Sequence, residues 1–242
     1  MLSNKATTPS TLQPNNPFLL TWIGMCLRYQ YEYDQMDRDA IEVSMAAQAA
    51  FGSSSGDQSD AFPASITPII ILENGKRVVV PSYFGMTPSW AKDETFGKKY
   101  AYNGRGETIN EKPTFQAPLR AGRRCLVRVV SFMENLGKNR WLRVSCVNPE
   151  YQLYIAGLYE EPNRHRKTIS HCLITTTPNE LIEPYHDRMP VLLSGPGQDK
   201  WLDPKTSVFD ALELLRPCPA DWLAIEEFEE LRRDQKYLDF GN

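Results

Sequence analysis

The sequence predicts a single-domain α+β fold. Three observations lead there. The chain has 242 residues, ample to bury a core without disulfide staples. Short β-branched runs recur through its middle. Helical patterns lie mainly towards its ends, whereas a doubly wound sheet alternates them with strands. Hydrophobic residues make up 41% of the chain and charged residues 24%. That is globular composition and argues against disorder over most of the length. No internal repeat or linker divides the chain.

The elements follow in order. Residues 1–17 are rich in Ser, Thr, Pro and Asn and read as a disordered arm. Residues 35–51 suit a helix, because Met36, Ile41, Met45 and Ala49 recur at helical spacing. A flexible Gly/Ser loop follows at 52–57. Residues 67–72 and 77–81 form a hairpin around Asn74-Gly75. Further strands are expected at 125–131, 141–147, 152–156 and 168–176. Residues 178–182 fit a short helix capped by Thr177. Residues 207–215 and 221–234 read as helices, the second acidic on its outer face. The expected organisation is an arm over 1–24, a domain over 25–220 and an acidic C-terminal helix over 221–242.

Net charge is −3, so the chain taken whole is no polyanion binder. The average hides an asymmetry. Residues 101–170 hold 12 Lys/Arg against 6 Asp/Glu, and residues 221–242 hold 3 against 7. A local basic site in the middle is therefore compatible with the total.

The cysteines are Cys26, Cys125, Cys146, Cys172 and Cys218. An odd count without a CxxC pair makes a poor disulfide framework and a poor zinc site. Buried thiols in a reducing cytoplasm are the expectation. No apolar run reaches the roughly 18–20 residues of a membrane span. The apolar stretch before Cys26 imitates a lipoprotein signal, but Met25 stands where that signal needs a small residue.

Four clusters carry chemistry-bearing residues. They are Met25-Cys26-Leu27-Arg28, Asn103-Gly104-Arg105-Gly106-Glu107-Thr108, Arg123-Arg124-Cys125 running on to Phe132-Met133-Glu134, and His186-Asp187-Arg188-Met189-Pro190. Each has a plain structural reading. Cys26 is a core thiol, Glu134 caps a turn, His186 sits in a surface turn, and the arginines form salt bridges. Spacing alone does not choose between these and function.

Their order does. Met25-Cys26-x-Arg28, Phe84-Gly85-Met86-Thr87-Pro88-Ser89-Trp90, Asn103 to Thr108, Glu111-Lys112-Pro113-x-Phe115 and Arg123 to Val127 come first. Phe132-Met133-Glu134, Ala156 to Glu160, Thr175 to Asn179 and His186 to Pro190 follow. This succession resembles the SRAP family (SOS-response-associated peptidase), proteins that cap abasic sites in single-stranded DNA. The resemblance covers roughly residues 25–195. It implies a curved mixed β-sheet with a barrel-like core flanked by helices. It implies that Cys26 is the nucleophile once it is N-terminal, with associated removal of the residues before it. Glu134 is then the catalytic carboxylate, His186 a further acid/base group, and Asn103 the amide that orients the N-terminal residue. Arg105 maps to a phosphate contact. Arg28, Arg123 and Arg188 are further phosphate or carboxylate partners. Trp90 either stacks a flanking base or packs in the core. The implied partner is single-stranded DNA with abasic sites, bound by a monomer. No metal, organic cofactor or membrane is implied.

The sequence also departs from the family pattern. Cys26 is preceded by a leader, Leu27 replaces a Gly, Asn135 replaces a Trp, and no C-terminal Val-Asn segment is found. Three outcomes stay open for the leader: a true start at Met25, self-cleavage before Cys26, or retention. The departures suit a diverged, phage-related member. Two rival readings accompany the crosslinking one: a thiol peptidase that processes only its own leader, and a DNA-binding protein that keeps only the fold.

Overall fold

The computed structural model describes residues 28–33, 41–51, 59–148 and 152–229. The expected arm, the loop at 52–57 and Cys26 lie outside the described residues. The elements in chain order are β1 (Arg28–Tyr31), β2 (Glu42–Val43), α1 (Met45–Phe51), β3 (Ser59–Ala61), β4 (Ile66–Glu73) and β5 (Lys76–Phe84). Next come α2 (Phe96–Tyr100), β6 (Asn103–Arg105), α3 (Pro113–Arg120), β7 (Arg124–Val129), β8 (Ser131–Gly137) and β9 (Arg140–Cys146). The chain continues with β10 (Leu153–Glu160), β11 (Ile169–Thr176), β12 (Met189–Pro190), α4 (Gly195–Leu202), α5 (Val208–Leu212) and β13 (Leu223–Glu229).

The result is a mixed α+β domain dominated by strands. β4 and β5 form the expected hairpin, registered from Ile66↔Tyr83 to Glu73↔Lys76. Asn74 and Gly75 take φ of 51° and 78°, the left-handed pair that a two-residue hairpin turn requires. Five strands close a barrel. β5 pairs with β11 in parallel, β11 with β10, β10 with β7, and β7 meets β4 at Leu126↔Ile70. A second sheet runs β13-β9-β8-β1-β3, and its pairings are antiparallel.

Successive side chains on a strand face opposite ways, so the barrel strands feed two cores. Ile70, Leu126, Ala156, Cys172 and Ile174 pack with Phe115 and Leu119 of α3 and Trp201 of α4. Ile69, Ile71, Cys125, Val127 and Leu173 pack with Tyr29, Phe132, Leu142 and Val144 of the second sheet. Trp201 also donates its indole N–H to the Cys125 carbonyl at 2.9 Å, satisfying a polar group that burial leaves exposed to cost.

Three expectations need correction. The acidic segment from 221 is not a helix where it is described. Leu223–Glu229 is a strand on the edge of β9, with Glu226 opposite Arg143 and Glu227 opposite Leu142. Glu226 reaches Arg143 at 2.8 Å and Glu227 reaches Arg140 at 3.7 Å. The open edge and its two arginines override a weak helical propensity. Within 35–51 only Met45–Phe51 is described as helix. Val43 is bridged to Val79 of β5, and Ser44 caps the helix by accepting the Ala47 N–H at 3.0 Å. Residues 178–182 form a hydrogen-bonded turn capped by Asn179, not Thr177, whose Oδ1 accepts the Ile182 N–H at 3.1 Å. Among the described residues no helix is long and apolar enough to cross a membrane.

Candidate active site

The site begins where the second sheet meets the β11–β12 connection. On β8, Met133 lies opposite Arg28 of β1, and Glu134 lies opposite Leu142 of β9. Cross-strand partners share a face and neighbours alternate. Glu134 therefore shares the core side with Leu142 and Tyr29, and its side chain is 2% exposed. A buried carboxylate is uncommon unless its neighbours serve it. His186 is one such neighbour, with Nε2 3.9 Å from Glu134 Oε2. The Arg188 N–H donates to His186 Nδ1 at 3.1 Å, which leaves Nε2 as the nitrogen facing the carboxylate. The His186 N–H donates to the Ile182 carbonyl at 3.0 Å, fixing the backbone beneath the ring.

Asn103 and Arg105 sit on β6, which runs parallel to β11 with Asn103 at Leu173 and Arg105 at Thr175. Thr175 also pairs with Pro190 of β12. β11 thus joins the Asn103–Arg105 segment to the segment that follows His186. Asn103 is half-buried and Arg105 is exposed.

The other arginines behave as carboxylate partners. Arg188 makes a two-pronged pair with Glu107, both bonds at 2.7 Å. Arg123 pairs with Glu160 at 2.9 Å, at the end of β7 opposite the one that leads to β8. Arg28 binds Asp60 at 2.6 Å and stacks between Phe62 and Trp141, each ring centre 5.5 Å away. Its register with Met133 puts it on the sheet face opposite Glu134. The structure therefore unites Glu134 with His186 and ties the Arg188 N–H to the His186 ring, while Arg28 and Arg123 lie elsewhere. Trp90 is 53% exposed, so it is not a core residue. Phe96 backs it edge-on at 5.3 Å.

Glu107 had no role on sequence grounds, although it stands inside the Asn103–Thr108 motif. Burial acts to raise its pKa, but the paired hydrogen bonds and charge of Arg188, with the charge of Arg105, outweigh that. Its carboxyl is held below its ordinary value. Of the described cysteines, Cys146 is half-buried and the other three are buried. Burial pushes Cys125 well above the usual thiol range and Cys172 and Cys218 up to about 12, which keeps them protonated and inert.

A family model described as SOS response associated peptidase (SRAP) matches residues 25–231. The chain belongs to that family. Among SRAP relatives, abasic site processing protein YoqW of Bacillus subtilis is 41% identical over 144 residues, covering 57% of this chain and 63% of that protein. Abasic site processing protein HMCES of Rattus norvegicus is 27% identical over 203 residues, covering 64% of this chain and 56% of its own. The chain thus matches less than two thirds of the length of either. The SRAP assignment has structural company. A crystal structure of a Bordetella bronchiseptica protein superposes with a TM-score of 0.70 at 23% identity, over 85% of this chain and all of that one. At such identity the likeness shows the fold alone.

Proposed function

We propose that this protein processes abasic sites in single-stranded DNA by forming a covalent thiazolidine through Cys26. The observation that carries the reading is the buried Glu134 facing His186 at 3.9 Å beside strand β1. Two peptide units separate Cys26 from Arg28, a reach of about 7 Å. Arg28 in turn pairs with Met133, the residue before Glu134. The names of the YoqW and HMCES relatives supply the substrate class.

The chemistry balances without an added reactant. A ring-opened abasic deoxyribose presents an aldehyde. The α-amine of an N-terminal cysteine has an ordinary pKa near 7.7–8.0, about two units or more below a lysine, so a useful fraction is neutral at pH 7. It adds to the aldehyde, and loss of water gives an imine. The Cys26 thiol then adds to the imine carbon and its proton passes to the nitrogen, closing a five-membered ring. Intramolecular closure gains from effective molarity. Glu134 and His186 move protons during ring opening and dehydration. Arg105 holds a phosphate, which grips the strand without reading sequence. Exposed Trp90 offers a face to a flanking base, a contact tolerant of sequence. The chemistry requires a free amine on Cys26, so residues 1–25 must be removed first.

A chain begun at Cys26 is expected to give a gel-stable adduct with an abasic oligonucleotide, and Cys26→Ala none. Glu134→Gln and His186→Asn are expected to slow the adduct by about 10²-fold or more with little change in DNA affinity. Absence of any adduct from the Cys26 chain sinks the covalent reading. The full-length chain is expected to react only after clipping, which intact mass reports.

A further inference from the structure

We propose that Glu107 and Arg188 are a positioning pair that holds His186 in the tautomer with its proton on Nε2, aimed at Glu134. The proposal rests on the reading of Glu134 and His186 as the proton-transfer pair.

His186 Nδ1 has two competing neighbours. One is the Arg188 backbone N–H at 3.1 Å, a donor, which requires a lone pair on Nδ1. The other is Asp187 Oδ1 at 3.2 Å, an acceptor, which requires a proton there. A neutral imidazole satisfies only one of them. In the first state the ring proton is on Nε2 and points to Glu134. In the second it is on Nδ1 and points to a side chain that is 84% exposed, leaving Nε2 bare before Glu134. Which nitrogen carries the proton is set by the bond the other makes.

The Arg188 anchor decides the contest. Its guanidinium is fixed on Glu107 by two bonds at 2.7 Å, on the Thr175 carbonyl at 2.8 Å and on Thr175 Oγ1 at 3.3 Å. Planar, two-pronged Arg–carboxylate pairs are directional as well as strong. Arg188 is 8% exposed, so its end of the pair is shielded from solvent, while the Glu107 side chain is 43% exposed. Held from two elements, the Arg188 peptide cannot turn its N–H away from His186. The same pair couples β6, which carries Asn103 and Arg105, to the His186 loop.

The test is the ¹⁵N spectrum of the His186 ring in the full-length protein. The native ring is expected to show the Nε2–H pattern at neutral pH. Glu107→Gln and Arg188→Lys, which lose the two-pronged geometry, are expected to shift it towards the Nδ1–H pattern. Adding Asp187→Ala to Glu107→Gln removes the competing acceptor and is expected to restore the native pattern. That rescue is something a general loosening of the fold does not produce. Affinity for a single-stranded oligonucleotide carrying a tetrahydrofuran abasic analogue, read by anisotropy, is expected to stay within about twofold in Glu107→Gln. A native Nδ1–H pattern, a pattern unmoved in both Glu107→Gln and Arg188→Lys, or a shift that Asp187→Ala does not reverse overturns the proposal. A large affinity loss without a spectral change also overturns it, because the pair then serves DNA directly. If native protein does not bind the oligonucleotide while the spectra respond as described, the functional reading falls and the positioning pair stands.

Discussion

His171 sits fully buried on β11, its Nδ1 2.9 Å from Ser82 Oγ and its ring stacked 5.3 Å from Phe84. Burial strips water from the imidazolium and pushes the pKa from 6.5 down to about 3. The sign follows directly. Between about pH 6.5 and 3 the unfolded chain takes up a proton that the folded chain refuses, so stability falls as pH falls through that window. Above 6.5 the ring is neutral in both states and contributes no slope. Glu107 acts differently. Its carboxyl is depressed in the fold, so its contribution is present above the usual glutamate value near 4.3 and is lost only below it. His171→Phe keeps the stack on Phe84 and removes the titrating ring. It is expected to flatten the loss of urea stability between pH 6.5 and 4.5, at a cost of about 1 kcal/mol at pH 7 for the stranded Ser82 hydroxyl. Parallel pH profiles for the two proteins would locate the acid sensitivity elsewhere.

Among the elements, β10 shows how a motif glycine is a packing requirement. It lies between β7 and β11, with Gly157 opposite Cys125 on one side and Leu173 on the other. A Cβ at Gly157 falls 2.7 Å from the Cys172 carbonyl and 2.8 Å from Cys125 Sγ. Gly157→Ala is therefore expected to destabilise by about 1–3 kcal/mol through overpacking, measured as a lower urea midpoint. Cys125→Ala added to it relieves only the sulfur contact, so partial recovery is expected, and full recovery would contradict the role of the carbonyl. The hairpin at β4–β5 was legible in the sequence because its signal is local: Asn74-Gly75 between apolar runs. The parallel closure of β5 on β11 was not, because it joins residues nearly 90 apart and no local pattern encodes it. α3 was hidden by Pro118 inside it, and α4 by its Gly-Pro-Gly start. The segment of β13 reads as a helix because an acidic amphipathic run suits either a helix or a sheet edge until the partner strand is known. Glu134 and His186 were legible only through the order of motifs. Their separation of 52 residues says nothing of a 3.9 Å approach, and Glu107 remained a motif letter until its partner Arg188 was in view.

For the whole molecule, the basic excess over residues 101–170 means less than its count suggests. Arg123 is committed to Glu160, Arg124 to the Asp203 and Thr206 carbonyls, and Arg140 and Arg143 to the glutamates of β13. The acidic C-terminal strand thus answers part of the basic middle inside the fold. The exposed cations that remain from that stretch include Arg105, Lys112, Arg120, Lys138, Arg164 and Lys167. Arg105 alone among these sits on the β6 segment beside the Thr175–Arg188–His186 cluster. Binding to a single strand releases counterions in proportion to the phosphates neutralised, with a log–log salt slope of about −0.7 per contact. Arg105→Ala is accordingly expected to weaken binding of an abasic oligonucleotide and to make the slope shallower by about 0.7. Arg123→Ala, whose charge already faces Glu160 at the other end of β7, is expected to leave the slope unchanged. Anisotropy titrations over a salt series measure both. If Arg105→Ala runs parallel to the native protein, the strand does not pass β6, and the groove must be sought on another face.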